Sequence, residues 1–344
     1  MVVFPPTTPA ELISLIVSIV TSHQFITIII FPGFIHLTLV VIILTWYERK
    51  LLARMQLRIG PLYAGGPGGI LQPLADGVKL IFKEVMIPYR ADQPLFLGIP
   101  LILVVLAAVP FAVIPFGQHW VIANLDVGLV FVFAMTSLFP SMILIFAWAS
   151  NSKYPFLGGL RSLFQQVAYE IPMWISTLSV VLMAGSLNLV DIVNAQEKIW
   201  FIIPAFLSFI VFFISIMAEL ERLPFDLPEA EPELVAGWYT ESSGAIFMLI
   251  FMGLYMKLYL MSSLVTALFL GGWWGPTFLP QPAWFIIKTL IVTTFIIIPR
   301  GVYPRLRVDM LIKVGWNKLL IIAIGNIFVT VFLLKLGLLR AWGL

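Results

Sequence analysis

Seven of the chain's 17 acidic residues fall within 23 positions: Glu219, Glu221, Asp226, Glu229, Glu231, Glu233 and Glu241. Carboxylates this close cannot all ionise freely unless water or basic groups reach them, because each negative charge raises the pKa of its neighbours. Acids with perturbed proton affinity are suited to holding and passing protons, so the stretch reads first as a functional site. Prolines 224, 228 and 232 exclude a continuous helix, which leaves the acids on short extended or turn segments with helix resuming near Glu233. Arg222 and Asp226 are spaced to pair across the first turn. A merely solvated acidic loop is the plain alternative. It does not explain why Leu223, Phe225, Leu227 and Leu234 are interleaved with the acids.

The elements that must carry this stretch are membrane spans. With 61% hydrophobic and 11% charged residues in 344, the chain is an all-α, polytopic membrane protein. Eight apolar runs stand out, at about 25–46, 94–115, 125–149, 163–189, 199–217, 243–270, 283–298 and 318–340, and together they read as one membrane domain covering 1–344. The apolar residues Glu11 to Val20 are too few for a further span. The first basic residue is Arg49, so the first run is read as a retained helix and not as a signal peptide. Placing the loops 47–93, 150–162, 218–242 and 299–317 on the cytoplasmic side puts 15 basic residues there, counting Lys318 at the edge of the last run, with only Lys198 opposite. Both termini then lie outside and the acidic stretch faces the cytoplasm.

These inner loops are long while the outer ones are nearly featureless. In the first, Lys50, Arg54 and Arg58 recur at helical spacing until Gly60-Pro61 stops the helix. From Gln72, Leu74, Val78, Ile81, Phe82 and Val85 form an apolar face opposite Asp76, Lys79 and Lys83, the pattern of an interfacial helix. In the fourth span Glu170 lies about seven residues, or roughly 10 Å, inside the apolar run, where an ionisable group is functional by default. Lys257 lies near the middle of the sixth span and needs a carboxylate, a carbonyl or water; Glu170 is the nearest candidate in depth. Lys288 and Lys335 lie close enough to the outer surface to snorkel. The basic segment Pro299 to Asp309 is placed to neutralise the acidic loop.

Other chemistries are narrowed by what is missing. The chain has no cysteine and only three histidines, His23, His36 and His119, scattered in sequence. Iron–sulfur ligation by cysteine is excluded and a converging haem or zinc site is not expected, so no redox centre of its own is expected either. No internal repeat of the kind secondary transporters carry is evident.

The motifs Glu48-Arg-Lys, Gln56-Leu-Arg-Ile-Gly-Pro61, Leu71-Gln-Pro-Leu-Ala-Asp76, Ser150-Asn-Ser-Lys-Tyr154, Tyr169-Glu170, Glu221-Arg-Leu-Pro-Phe-Asp-Leu-Pro-Glu-Ala-Glu-Pro-Glu-Leu-Val-Ala-Gly237 and Pro304-Arg-Leu-Arg-Val-Asp309 occur in this order along nearly the whole chain. In them the chain resembles the quinone-site membrane subunit of respiratory complex I, the NADH:quinone oxidoreductase family, and its relatives. The resemblance implies an eight-helix subunit of a proton-translocating quinone oxidoreductase in an energy-transducing membrane, prokaryotic plasma membrane or thylakoid. Quinone is then the substrate. Flavin and the iron–sulfur clusters belong to hydrophilic redox-arm subunits docked above it, antiporter-like and small membrane subunits lie beside it, and no nucleic acid is involved. Asp226, Glu229, Glu231, Glu233 and Glu241 would link the quinone cavity to the pumping arm, and Glu170 would begin the intramembrane polar chain. Arg49, Arg58 and Asp76 match positions near the quinone's access route and the docked subunits, and Arg222, Phe225, Arg305 and Arg307 group with them as cavity or docking residues.

Two departures from the family pattern matter. Glu241-Ser-Ser-Gly244 stands where many members have Glu-Tyr-Ser-Gly, and Leu254 stands where many carry a glutamate, with Lys257 three residues on. The usual proton path is therefore not simply copied, and the donor need not be NADH. The competing readings are the membrane subunit of an energy-converting nickel–iron hydrogenase and a secondary transporter.

Overall fold

The computed structural model describes Ser22 and residues 25–66, 68–229 and 231–336, with only the backbone of Glu231, Pro232 and Val308. His23, the run from Glu11 to Val20 and the end of the eighth apolar run lie outside the described residues. The regular elements among the described residues are all helical, with no strand.

After a π turn at Ile26–Ile30 come α1 (Phe34–Met55), the short α2 (Gln72–Phe82), α3 (Gln93–Ala108), α4 (Gly128–Ala149), α5 (Lys153–Ala184) and α6 (Leu189–Ala195). Then follow α7 (Phe206–Glu219), the single turn α8 (Glu231–Leu234), α9 (Gly244–Phe269), α10 (Gln281–Ile297), α11 (Pro299–Val302), α12 (Val308–Lys313) and α13 (Leu320–Lys335). Among the described residues, seven helices are long and apolar enough to cross a membrane. The 14 residues of α7 reach only about 21 Å, because Pro204 disfavours helix in the residue before it and Phe201–Ala205 form turns.

Two helices organise the bundle. α9 packs along α3 and α10, and every residue from Tyr255 to Phe269 is buried, as expected for a helix apolar on all sides. α5 packs along α4, α7 and α13. Lipid tails are as apolar as leucine, so these contacts rest on close packing and on polar ties between helices, not on escape from water. Asn326 of α13 donates to Ser179 of α5 at 3.1 Å and also to Ser208 of α7. Pro172 takes the hydrogen bond away from the Ala168 carbonyl, and Gly315 of the π turn Val314–Leu319 backs onto that freed oxygen.

Three readings of the sequence change here. α5 begins at Lys153, ten residues before the apolar run, so most of the expected loop 150–162 is its first turns and Glu170 stands 17 residues, about 25 Å, from its start. The polar first turns continue as helix because Pro155 sits early, where its missing N–H costs nothing. α1 ends at Met55, with Leu57 at a positive φ of 53°, so Arg58 leaves the face that Lys50 and Arg54 share. Lys288 does not snorkel: it is 7% exposed and donates to the carbonyls of Leu270, Gly272 and Trp274, capping the C-terminal end of α9. α2 carries the expected apolar face, and Leu74, Val78, Ile81 and Phe82 are all exposed.

Gly158 on α5 is where the bundle meets the acidic stretch, since a Cβ there would lie 2.6 Å from the Trp238 backbone nitrogen. Gly158→Ala is expected to lower the thermal unfolding midpoint of the purified protein by an overpacking cost of about 1–3 kcal/mol. Gly98→Ala, with open space around the added methyl inside α3, should leave the midpoint unchanged or raise it, by the equivalent of up to about 1 kcal/mol.

Candidate functional site

The chain leaves α7 at Glu219 and folds back under the ends of α5 and α9. The path is irregular: Glu221 has φ +52°, Pro224 and Pro228 withhold N–H donors, and helix returns for one turn at α8. Gln165 of α5 holds the fold-back by donating to the carbonyls of Ala218 (2.8 Å) and Phe225 (2.7 Å). The basic segment after α11 closes over it, with the Leu306 N–H on the Pro224 carbonyl at 3.1 Å.

A cavity of about 460 Å³ lies between these segments. Four carboxylates (Glu219, Glu221, Asp226, Glu229) and four cations (Arg222, Lys257, Arg300, Arg305) line it, and its apolar wall includes Phe139, Phe247, Phe251, Leu254 and Tyr255. Each ion pair crosses between chain segments. Lys257 reaches Glu219 Oε1 at 2.8 Å, with exposures of 2% and 1%. Arg222 meets Glu48 of α1 at 2.7 Å, where Arg300 pairs with the same oxygen, and the Arg222 guanidinium lies over the Tyr255 ring at 5.2 Å. Arg305 meets Asp226 at 3.0 Å. Glu221 accepts from Gln166 Nε2 at 2.8 Å, from Trp238 Nε1 at 3.2 Å and from Ser162.

The expected pairing of Arg222 with Asp226 is thus replaced: each finds its partner on another element, because the fold-back turns their side chains apart. Lys257 takes Glu219 in place of Glu170. The basic segment does neutralise the acidic one, through Arg300 and Arg305.

Proton affinities outside the spans follow from burial and neighbours. Burial pushes Glu221 and Asp226 above the carboxylate range, and in Asp226 it outweighs the attraction of Arg305. Glu229 is pushed up to about 8, first by burial and then by the charges of Asp226 and Glu221. Burial raises Tyr239 as well, with Glu229 adding to it. Burial would lower Arg222, but Glu48, Tyr255 and Glu229 together more than offset it and hold Arg222 above the usual range.

Of the residues singled out in the sequence, Asp226, Glu229, Arg222 and Arg305 gather on the cavity. Glu170 is buried beneath it, at 8% exposure, and its Oε1 has no protein partner. Phe225 is packed edge-on against Tyr169 and does not line the cavity. Glu233 is exposed and pairs with Arg161 at 2.5 Å, Glu241 is half-buried away from the cavity, and the Glu231 side chain lies outside what is described. Arg49 and Asp76 join α1 to α2 at 2.5 Å, and the hydrogen bonds from Arg49 and Gln72 hold Asp76 below the carboxylate range against the opposing effect of burial. Arg58 donates to Gln56, and Arg307 is exposed beside Asp309. Neither group reaches the cavity. Sequence reasoning placed Glu219 and Glu221 in the acidic stretch without giving either a role and marked Lys257 only as a buried charge in need of a partner; it did not select Glu48, Ser162, Gln166, Tyr239, Tyr255 and Arg300 as site residues. Glu48, Glu219 and Lys257 carried a usable signal, being charges within or at the edge of apolar runs; Gln166, one turn before Glu170 on α5, carried a weaker one.

Fold and site together define a multi-span helical membrane protein with a charge-lined cavity at one end of its bundle and a buried polar chain leading from it into the spans. Residues 26–331 match the sequence model of the NADH dehydrogenase family, and the chain belongs to that family. It is 46% identical over 289 residues to the H subunit of the NADH-quinone oxidoreductase of Paramagnetospirillum magneticum, covering 83% of this chain and 84% of that protein. An H subunit of the same enzyme from Syntrophobacter fumaroxidans, the second of that name there, is 46% identical over 86% of this chain and 91% of its own length. The Bacillus mycoides H subunit is 45% identical over 84% of this chain and 88% of its own.

Because the folded-state pKa of Glu229 lies above its ordinary value of 4.5, the folded protein keeps a proton that the unfolded chain loses, and this group opposes folding increasingly as pH rises from 4.5 to about 8. A carboxylic-acid C=O stretch present at about pH 7 is expected to fade by about pH 9, and to be missing in Glu229→Gln. A spectrum identical at both pH values would place the proton elsewhere.

Proposed function

We propose that this chain is the membrane subunit of a proton-translocating, complex I-type quinone oxidoreductase, forming part of the quinone cavity and joining it to the proton path. The observation that carries the reading is the cavity: an apolar wall on α9 faces a ring of acids whose proton affinities are spread by burial and by paired cations. Quinone reduction takes up two electrons and two protons. The electrons come from an iron–sulfur cluster in a docked hydrophilic subunit, and the cavity acids are placed to supply or replace the protons. Loss of a proton from Glu229 or Asp226 adds a negative charge in a partly dry site, where charges act over longer distances than in water. Glu221 and Glu170 respond in turn, carrying the change into the membrane.

The remaining expectations belong to the same proposal. The acidic stretch faces the cytoplasm and both termini lie opposite, as the distribution of basic residues favours. The chain acts as one membrane domain, and α7 with the turns before it completes an eighth crossing. Arg49, Arg58, Asp76, Arg307 and the exposed face of α2 serve the access route or the docked subunits, and Glu231, Glu233 and Glu241 belong with the acids that link the quinone cavity to the proton path. The relatives, named for NADH-quinone oxidoreductase, favour quinone chemistry over a nickel–iron hydrogenase, and family membership leaves a secondary transporter without support.

Glu229→Gln and Glu231→Gln are expected to lower coupled quinone reduction several-fold while the complex still assembles; for Glu229 the amide copies the neutral form, so the loss falls on proton cycling and not on folding. Full turnover and pumping in both would remove these residues from the path. Glu170→Gln is expected to cut pumping more than electron transfer, read as a lowered proton-to-electron ratio in reconstituted vesicles, and an unchanged ratio would exclude it.

A further inference from the structure

Lys257 is the residue for which the family pattern gives no role. It sits halfway along α9, 2% exposed, with its ammonium 4.3 Å from the centre of the Phe139 ring. The stretches forming α4, α7 and α9 contain no other lysine or arginine, and those of α5 are Lys153 and Arg161, near its start. Its Nζ donates three hydrogen bonds: to Glu219 Oε1 at 2.8 Å, to the Glu219 carbonyl at 3.1 Å and to Gln166 Oε1 at 2.9 Å. A neutral amine has two N–H groups and an ammonium has three, so three acceptors around one nitrogen call for the charged form. A buried ammonium needs a counter-charge, and Glu219 is the carboxylate in contact with it.

Gln166 extends the arrangement. With its oxygen taken by Lys257, its Nε2 points the other way and donates to Glu221 Oε1 at 2.8 Å and to Ser162 Oγ at 2.9 Å. The amide cannot be reversed without facing N–H groups against the ammonium. One hydrogen-bonded chain therefore runs from Glu221 at the cavity through Gln166 and Lys257 to Glu219. Beyond it, Glu170 feels the charges of both Glu219 and Lys257. Glu219 Oε2 and Glu170 Oε1 are buried without a protein partner, each with lone pairs open to a proton.

We propose that Lys257 is the charge-setting residue of this buried acid chain: it holds Glu219 ionised in the membrane interior and, through Gln166, fixes the orientation of Glu221, so that a proton at Glu170 meets a permanent negative neighbour. It is a positioning residue that acts through Glu219. Its charge assignment stands on the geometry; its effect on pumping rests on the function proposed above.

The test uses the assembled complex, purified in mild detergent and carrying K257M, K257R or K257M/E219Q. Without the ammonium, Glu219 takes up a proton. The K257M spectrum should gain the C=O stretch of one carboxylic acid, absent in K257R and in the double variant. The proton-to-electron ratio of K257M should fall to about half or less of the parent value, with K257R restoring most of it. An assembled K257M complex without the new band overturns the charge assignment, whatever its turnover. A new band with an unchanged ratio keeps the charge assignment and overturns the role in pumping. If K257M does not assemble, assembly of the double variant supports the pair and its failure overturns it.

Discussion

An unpaired charge in the membrane interior costs several kcal/mol, and the site is arranged around that constraint. Lys257 with Glu219, and Glu48 between Arg222 and Arg300, place opposite charges in contact where water is scarce. Neither pair lies within one helix. Lys257 draws α9 to the end of α7, and Glu48 draws α1 to the acidic fold-back and to the segment after α10. Removing one partner would force the other either to stay charged in a dry site or to give up its charge, so the pairs tie the elements together even though burying both charges yields little net stability.

The same constraint gives the acids their differences. Glu229 and Asp226 are of one chemical kind and three residues apart, but Asp226 has Arg305 beside it and Glu229 has only more distant cations and two acidic neighbours. Burial raises both, and the neighbours decide how far. Burial and paired cations thus give acids of one chemical kind different proton affinities within a single cavity.

Packing explains why the fold-back can hold such a shape. Gln165 supplies two donors to carbonyls that no helix satisfies, and Gly158 allows the Gly237–Tyr239 turn to lie directly on α5, which brings the Trp238 indole to Glu221. Buried irregular backbone persists only where protein groups meet its hydrogen-bonding needs. α5 and α9 supply most of those groups, and these two helices carry most of the bundle's contacts.

Much was legible in the residues alone. Apolar run length fixed the helical membrane class, the prolines fixed the break at 224–232, and the clustered acids marked the site, because each of these is a local property of composition and spacing. Partner choice was not local. Arg222 lies four residues from Asp226 yet pairs with Glu48, 174 positions away, and Lys257 passes over Glu170 for Glu219. Helix ends also differ where polar residues continue a helix beyond its apolar run, as at Lys153, since hydropathy marks the lipid-facing length and not the hydrogen-bonded one. Sequence determined which charges would be buried; only the tertiary structure decided which opposite charge each would meet, because an ion pair in a dry interior is set by how the helices cross and not by distance along the chain.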